Sequence, residues 1–414
     1  MAEELSCTPT LDGLMSYEGA VERLVAAVRR LDDRERVTLR DGLGRVLAEP
    51  VVSTIDVPRW DYSAMDGYVL RAADFDGPGS TLAVSQRLPA GVAPQPLAGG
   101  TAARIFTGAP IPDGADTVVM QEVCTATADA VRIDTGIVAG DNVRRRGEDI
   151  AAGTEIIAAG TRLDPQHLGL AASVGCAELT VWRRPRVAVF ASGDELVMPG
   201  EPLAPGQIYN SNLFTAGGLL RTLGCEVIEL GIVEDTLDAT KTALADAATR
   251  ADLVFASGGV SVGEEDHVKP AIEALGTLDM WKIAIRPGKP VAFGHIDGTP
   301  FIGSPGNPVS LFVTFLLFVR PFLLCLQGRD DWRLQPMQVV ADFDWPRPDK
   351  RREFQRARLT IDTAGIARAA VHPSRSSGVL SSVTWANGLV VIPEGRAMRR
   401  GDTVAFLPFC ELLR

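Results

Sequence analysis

Apolar residues change their spacing along the chain, and each change marks a different kind of structure. After Ser16 they recur every three or four positions as far as Leu31, which predicts a helix capped by the Ser16 side chain. Between residues 51 and 148, short apolar runs such as TVVMQEV are separated by turn sequences such as DGPGS. Short strands interrupted by glycine and proline predict a β-rich domain in this segment.

Strand-like and helix-like patterns alternate from Arg186 onward. The run RVAVFAS, residues 186–192, is apolar throughout, as expected of a strand that is covered on both faces. Such an alternation of strands and helices predicts βαβ units and a parallel sheet. The helices of this region are predicted over residues 211–223, 237–250 and 264–275 and after Asn307.

The remaining segments complete a multidomain organisation. Residues 149–185 look mixed, with a helix start at Asp164-Pro165, and only short β-like runs follow Gly328. We therefore predict a fold of the α/β plus β class with a doubly wound α/β module. The predicted domains are an N-terminal mixed helical domain (residues 1–50 and 150–185), a β-rich insertion domain (51–149), the α/β domain (186–327) and a small C-terminal β-domain (328–414).

One segment, residues 309–326, is nearly apolar enough to span a membrane. It carries Arg320 and Pro321 in its interior, so we predict a buried helix instead. The formal net charge is −11, from 41 basic and 52 acidic residues, which argues against a nucleic-acid or anionic-membrane partner.

The cysteines and the N-terminus indicate the compartment. Six cysteines lie scattered without a CxxC pair or zinc spacing, which is typical of buried thiols in a reducing environment. The first residues show neither a basic start nor an apolar run, so no signal peptide is expected. These features predict a cytoplasmic protein.

Three loops follow predicted strands of the α/β module. They are ASGDEL (residues 191–196), SGGVSVGEED (257–266) and GSPGNPVS (303–310). Parallel strands end at one edge of a sheet, where glycines let a ligand approach the backbone and helix N-termini attract phosphate. Each loop alone could be a simple tight turn. Together, with the basic sequence IRPGKP (285–290) nearby, they predict a site for a phosphorylated ligand.

Acidic residues accompany these glycines. A carboxylate cannot attract an anion, so acids in an anion site require a cation between them and the ligand. Mg²⁺ prefers a few carboxylates together with phosphate oxygens. Helix-dipole stabilisation is the alternative explanation for acids at these positions. The acids are Asp194, Glu195, Glu264, Glu265 and Asp266.

A second group of polar residues lies in the β-rich segment. WDYSAMDGY (residues 60–68) is richer in polar and aromatic groups than one hairpin turn requires, and FTGAP (106–110) adds a hydroxyl. The triplet Arg144–Arg146 within RRRGEDI is by itself typical of a solvated face. Four scattered histidines show no metal-binding spacing.

The chain resembles the molybdopterin molybdenumtransferase family, which comprises the bacterial MoeA proteins and the E domain of gephyrin. The matching segments occur in family order and span nearly the whole chain. They are PRWDYSAMDGY, FTGAPIPDGAD, RRRGEDI, SGDEL, GQIYNSN, SGGVSVGEEDHVK, WKIAIRPGKPVAFG and GSPGNPVS.

This resemblance implies an elongated homodimer of four-domain chains, in which the C-terminal domain is a small β-barrel and the cleft is shared between chains. It implies a reaction in which adenylylated molybdopterin and molybdate give molybdenum cofactor and AMP, assisted by Mg²⁺ or Zn²⁺. The molybdopterin adenylyltransferase is the implied protein partner.

The resemblance also implies functional residues. The catalytic set comprises Asp66, Glu195, Asp235, Asp266, Lys282 and Arg286, of which Glu195, Asp235 and Asp266 would hold the metal. The substrate-binding set comprises Thr107, Asp149, Ser257, Gly258, Gly259, Ser261, Lys289, Pro305, Gly306, Asn307, Pro308, Arg356 and Ser377. Arg286 stands where the family commonly has lysine; it keeps the charge and adds a planar fork.

Two other functions stay open at the level of sequence. One is a non-catalytic scaffold of the gephyrin E-domain type. The other is a nucleotidyl hydrolase that uses the same α/β module.

Overall fold

The structure is a computed structural model that describes residues 13–234, 236–258 and 267–413. Asp235, Gly259, Ser261 and Asp266 of the predicted site therefore lie outside the described residues. The helices, in chain order, are α1 (Tyr17–Ala26), α2 (Pro165–Ser173), α3 (Asn212–Thr222), α4 (Leu237–Arg250), α5 (Val268–Leu275), α6 (Pro308–Thr314), α7 (Arg320–Leu326), α8 (Ser381–Trp385) and α9 (Phe409–Leu412).

The strands are distributed over the whole described chain. The first twelve are β1 (Arg34–Thr38), β2 (Val51–Val52), β3 (Tyr62–Ser63), β4 (Gly67–Leu70), β5 (Ser80–Leu88), β6 (Thr101–Ile105), β7 (Thr117–Met120), β8 (Cys124–Ala126), β9 (Ala130–Ile133), β10 (Val143–Arg144), β11 (Glu155–Ile157) and β12 (Glu178–Trp182). The next nine are β13 (Arg186–Ser192), β14 (Leu196–Val197), β15 (Ile208–Tyr209), β16 (Glu226–Val233), β17 (Leu253–Ser257), β18 (Gly276–Lys282), β19 (Ile285–Arg286), β20 (Pro290–Ile296) and β21 (Thr299–Ser304). The last five are β22 (Met337–Ala341), β23 (Arg352–Ile361), β24 (Ala367–Val371), β25 (Gly388–Ile392) and β26 (Thr403–Pro408).

The chain divides into two compact units. The first contains the residues up to Glu35, Gly44–Val46 and the chain from Trp182 onward. The second contains Arg36–Leu43 and Leu47–Val181. The boundaries of the four domains expected from the sequence stay predictions.

The second unit is built on a six-stranded sheet in the order β7-β4-β6-β5-β9-β8. Successive side chains along a strand point into two different apolar clusters: Tyr68 and Leu70 belong to one cluster and Val69 to the other. This period of two is expected of a sheet that packs on both faces. The β-rich insertion predicted from the short apolar runs is confirmed.

The first unit contains a mixed sheet in the order β16-β13-β17-β21-β20-β18. Strands β16, β13, β17 and β21 run parallel, whereas β20 is antiparallel to both of its neighbours. In β13, Val187 and Val189 face one apolar cluster, while Ala188 and Phe190 face another. Both faces of the strand are therefore covered, as its uninterrupted apolar sequence predicts.

A closed β-barrel ends the chain. Its five strands follow the order β23-β24-β22-β26-β25, and β25 pairs again with β23. The short strand β19 adds to the outside of this ring by pairing with β23. The fold class predicted from the sequence, α/β plus β with a doubly wound α/β module and a small β-barrel, is confirmed.

The long apolar helix fills the core of the first unit. Pro308–Leu326 has the length and hydropathy of a membrane span, yet its most apolar stretch is entirely buried inside the protein. The turn Phe315–Val319, which joins α6 to α7, is π-helical. The prediction of a buried helix is confirmed.

One predicted helix boundary was wrong. Helix α1 begins as predicted, with Ser16 Oγ accepting a hydrogen bond from the Gly19 N–H at 3.1 Å, but it ends at Ala26 rather than Leu31. Leu31 is buried outside the helix, where its N–H donates to the Leu326 carbonyl. Among the described residues, helix α5 begins at Val268 with His267 as its N-cap residue, and the start predicted at residue 264 lies outside the described residues.

Candidate functional site

Three of the loops predicted to bind a ligand begin at the same edge of the mixed sheet. The parallel register aligns Ala191 of β13 with Ser257 of β17, and Ser257 with Ser304 of β21. The three strands therefore end side by side, and the segments that follow them leave the sheet together. Carboxyl ends of adjacent parallel strands are the usual place for a ligand in such sheets.

The backbone after β17 is held close to its neighbours. Gly258 donates its N–H to the Ser304 carbonyl at 3.0 Å. Its φ of +90° lies in the region that favours glycine, and a Cβ atom there would come within 3.1 Å of the Ser192 carbonyl oxygen. Glycine is therefore required for the chain to leave the sheet at this point.

Asn212, at the start of α3, joins two of these loops. Its Nδ2 donates to Ser257 Oγ at 2.9 Å and to the Gly306 carbonyl at 2.7 Å. Its Oδ1 is buried and has no hydrogen-bond partner within the described chain. A buried acceptor without a partner is costly unless a ligand or water donates to it. Asn212 lies in the family segment GQIYNSN but is not among the predicted site residues, because a polar residue at a helix start usually serves as a cap.

The PGNP loop leads from β21 into α6. Pro305 is buried, whereas Gly306 and Asn307 are exposed, and Pro308 is the first residue of the helix. Pro308 has no N–H to offer, and the Val309 N–H donates to the Ser377 carbonyl at 3.0 Å. Fewer free N–H groups remain for an anion at this helix start than its sequence suggests.

Basic residues cluster in the turn between β18 and β20. The antiparallel register places Lys282 opposite Pro290, the residue after Lys289, and the Ile283 N–H donates to the Lys289 carbonyl at 2.8 Å. Both lysines are exposed, and neither forms a salt bridge with any residue that the structure describes. We call Lys282–Lys289 the basic turn.

The third cation of the basic turn is held by carboxylates. Arg286 Nη1 donates to Asp349 Oδ2 at 3.0 Å, and its Nε lies 4.0 Å from Glu353 Oε2. The hydrogen bonds from Arg351, together with that from Arg286, hold the pKa of the Asp349 carboxyl well below its usual range. The hydrogen bond to Asp349 therefore orients the guanidinium plane of Arg286.

Arg356 and Ser377 lie where the barrel meets α6. Arg356 is 1% exposed, and burial lowers the pKa of its guanidinium. It donates to Ser382 Oγ at 2.9 Å, to Gln355 Oε1 at 3.2 Å and to the Ser374 and Ser376 carbonyls at 2.7 and 3.2 Å. Arg356 thus holds the loop that carries Ser377, and its direct contact with a substrate stays a prediction.

Of the three predicted metal ligands, the structure describes only Glu195. Its exposed side chain follows β13, and its carboxylate folds over Gly193, where a Cβ atom would lie 2.6 Å from Oε2. No group of three or more acidic, cysteine or histidine side chains suited to a metal occurs within the described ranges. Because Asp235 and Asp266 lie outside those ranges, the predicted metal set stays a prediction.

In the second unit, the structure brings Asp66 and Thr107 together. Asp66 Oδ1 accepts the Thr107 N–H at 2.8 Å and the Thr107 hydroxyl at 3.0 Å. These two hydrogen bonds, aided by the charge of Arg104, lower the pKa of the Asp66 carboxyl. Both side chains are exposed, so an ionised and oriented carboxylate faces the solvent here.

The arginine triplet of the second unit is neutralised by acids. Arg144 pairs with Glu148 at 3.0 Å, Arg145 with Asp61 at 2.7 Å and Arg146 with Asp56 at 2.5 Å. Asp149 is exposed beside this network, and its N–H donates to the Val57 carbonyl at 3.0 Å. The side chain of Asp149 makes no described contact with the Asp66–Thr107 pair.

These features define a multidomain protein of the MoeA class: a mixed α/β sheet with glycine-rich loops at its carboxyl edge, an inserted β-sheet and a terminal β-barrel. Three family models match the chain: the MoeA N-terminal region (domain I and II) over residues 15–175, a probable molybdopterin binding domain over residues 188–324, and the MoeA C-terminal region (domain IV) over residues 338–409.

Known relatives match along almost their whole length. The Haemophilus influenzae molybdopterin molybdenumtransferase is 39% identical over 391 residues, 92% of this chain and 95% of that protein. The Nostoc sp. molybdopterin molybdenumtransferase is 38% identical over 382 residues, 90% of this chain and 88% of that protein. The crystal structure of a molybdopterin biosynthesis moeA protein from Pyrococcus horikoshii OT3 superposes with a TM-score of 0.83 at 31% identity, covering 95% of this chain and 100% of that one. The chain belongs to the molybdopterin molybdenumtransferase family, and the resemblance found in the sequence is confirmed.

Proposed function

We propose that this protein is a molybdopterin molybdenumtransferase, which inserts molybdenum from molybdate into adenylylated molybdopterin and releases AMP. The observation that carries the proposal is the alignment of three strand ends at one sheet edge, beside exposed lysines that form no salt bridge with a described residue. This arrangement offers backbone access and positive charge to a ligand rich in negative oxygens. The family membership supports the same reaction.

Some of the described residues would bind the substrate, and others would neutralise its negative charge. Ser257, Gly258 and Gly306, tied together by Asn212, would hold the phosphate-bearing part of the pterin substrate. Lys282 and Lys289 would neutralise its phosphates and the doubly charged molybdate, with Arg286 as a fixed planar donor. Catalysis would then rest on placement and on charges set in position before the substrate arrives.

A divalent cation, Mg²⁺ or Zn²⁺, is part of the proposal. The exposed carboxylate of Glu195 at the sheet edge suits Mg²⁺, which takes one or two carboxylates together with phosphate oxygens and water. Asp235 and Asp266 would complete the set. When bound, the cation would polarise the phosphoryl group.

Assembly and location complete the proposal. We propose a cytoplasmic homodimer in which Asp66 and Thr107 of one chain serve the α/β module of the other. The Asp66 carboxylate is ionised, exposed and oriented by two hydrogen bonds, which supports its use in binding a ligand held by another part of the dimer. A molybdopterin adenylyltransferase would supply the substrate, and neither nucleic acid nor a membrane is expected as a partner.

The test is to incubate the protein with adenylylated molybdopterin, with and without molybdate, and to measure AMP. We expect AMP release that requires molybdate. Release without molybdate would instead identify a nucleotidyl hydrolase, and the absence of release under both conditions would favour a scaffold.

A further inference from the structure

Three residues of β23 carry a buried polar network. Glu353, Gln355 and Arg356 are 1%, 3% and 1% exposed, although they lie in a small barrel whose interior is otherwise apolar. Burying charged and polar groups costs free energy unless each finds a partner. The partners of these three side chains therefore indicate what the network stabilises.

One end of the network lies at the basic turn. Glu353 accepts hydrogen bonds from Trp345 Nε1 at 2.9 Å and from Arg375 Nη2 at 3.1 and 2.9 Å, and Arg286 Nε lies 4.0 Å away. Arg286 and Glu353 are also register partners in the β19–β23 pairing. The barrel strand therefore fixes the backbone of Arg286 and places the Glu353 carboxylate near its guanidinium, which Asp349 holds by a hydrogen bond.

The other end lies at the start of α6. Arg356 donates to the carbonyls of Ser374 and Ser376, and the next carbonyl, that of Ser377, accepts the Val309 N–H at 3.0 Å. The barrel thus contacts the α/β region at two places, the basic turn and the PGNP helix start. Both places belong to the proposed site.

Gln355 connects the two ends. Its Nε2 donates to Glu353 Oε2 at 2.8 Å, and its Oε1 accepts from Arg356 Nη1 at 3.2 Å. An amide side chain can donate to a carboxylate with its nitrogen and accept from a guanidinium with its oxygen. A continuous set of side-chain contacts therefore runs from Arg286 through Glu353, Gln355 and Arg356 to the loop that carries Ser377.

We infer that Gln355 and Glu353 are positioning residues, which set the basic turn and the Ser377 loop in one geometry for the incoming molybdate. The inference rests on the proposed transferase function. Neither residue need contact a substrate. Their effect is to fix two segments that lie 91 positions apart, Arg286 and Ser377 (377 − 286). Misplacing one segment relative to the other weakens an anion site that needs both.

The test replaces Gln355 with methionine, a side chain of similar length that makes neither hydrogen bond. We expect Gln355→Met to raise the KM for molybdate about tenfold while kcat and the KM for adenylylated molybdopterin change less than about twofold. The matched control is Gln338→Met, the same change on the exposed side of β22 in the same barrel. Circular dichroism and the thermal unfolding midpoint report whether each variant folds.

The outcomes separate positioning from simple stabilisation. A merely structural role reduces the amount of active enzyme, so it lowers the apparent kcat and leaves the KM for molybdate unchanged; that result overturns the inference. Should Gln355→Met fail to fold, Glu353→Gln, which is nearly isosteric, decides the question by the same separation of KM from kcat. Absence of molybdate-dependent AMP release from the unchanged protein would instead refute the proposed function itself.

Discussion

Two basic clusters of the chain look alike in sequence and differ in their surroundings. The arginines of the triplet Arg144–Arg146 each lie within 3.0 Å of a carboxylate oxygen. In the basic turn, by contrast, Lys282 and Lys289 are exposed and form no salt bridge within the described part of the molecule. A cation that already has a carboxylate partner offers an anion less net positive charge and fewer free N–H donors than an unpaired cation does.

Basic residues in a sequence therefore identify an anion site only when it is known whether carboxylates already pair with them. Two of the three acids that pair with the triplet, Asp56 and Asp61, lie in a distant part of the sequence. These ion pairs therefore hold the loop of the triplet against that segment. In the basic turn, no described carboxylate pairs with Lys282 or Lys289. Its one arginine is held by acids of the C-terminal barrel region, Asp349 and Glu353.

The largest effect on activity should come from removing a lysine of the basic turn. We expect Lys282→Ala to lower kcat/KM for molybdate-dependent AMP release about 100-fold, because a fixed charge facing the anion is lost. Lys241→Ala, which removes one positive charge from helix α4 and leaves the basic turn intact, is the matched control. Equal activity of the two variants would show that net charge, rather than the basic turn, attracts the substrate.

The second largest loss of activity is expected from Asp66, which pairs with Thr107 in the second unit. This prediction depends on the proposed dimer. Asp66→Ala and Lys289→Ala should each lose most activity alone. If the cleft is shared between chains, a mixed dimer keeps one intact cleft and should regain about half of the wild-type activity. The measurement is AMP release from dimers that carry two different affinity tags. No recovery in verified mixed dimers would mean that each chain completes its own site.

The sequence predicted the scaffold better than it predicted the partners of the site residues. The apolar run 186–192 and the glycine after Ser257 could be interpreted from local rules, because strand burial and positive φ leave local signals. The roles of Asn212 and Gln355 could not, since their partners come from loops and strands distant in the chain. Nor does the sequence show that carboxylates pair with the triplet, while no described carboxylate pairs with Lys282 or Lys289.

A smaller effect is expected where an acid holds Arg286. Asp349→Asn should lower the thermal unfolding midpoint by a few degrees at pH 7 and raise the KM for molybdate a few-fold, since Asp349 fixes both Arg351 and Arg286. The pKa of Asp349 is lower in the folded protein than in the unfolded chain. Its stabilising contribution is therefore fully present above the unfolded pKa, about 4, and is lost as the pH falls through the folded pKa.

The pH series supplies the check on this prediction. The difference in unfolding midpoint between the wild type and Asp349→Asn should stay constant from pH 8 to about pH 5 and narrow in more acidic solution. Asp330→Asn is the control, because Asp330 pairs with Arg30 at 2.7 Å while its side chain is 84% exposed. An exposed pair of this kind contributes little at any pH. A difference that widens on acidification would contradict the sign of the Asp349 pKa shift.

The smallest effect on activity is expected from a substitution in the triplet Arg144–Arg146. Arg144 and Glu148 form an exposed pair, with 56% and 40% of their side-chain surfaces accessible. Removing one member of such a pair disturbs little else, so Arg144→Ala should change kcat/KM for AMP release less than about twofold. Raising the salt concentration should weaken molybdate binding to the wild type and to Arg144→Ala equally, because the charges that meet the anion belong to the basic turn. A salt dependence that became distinctly weaker in Arg144→Ala would assign part of the anion site to the triplet and remove the distinction between the two clusters.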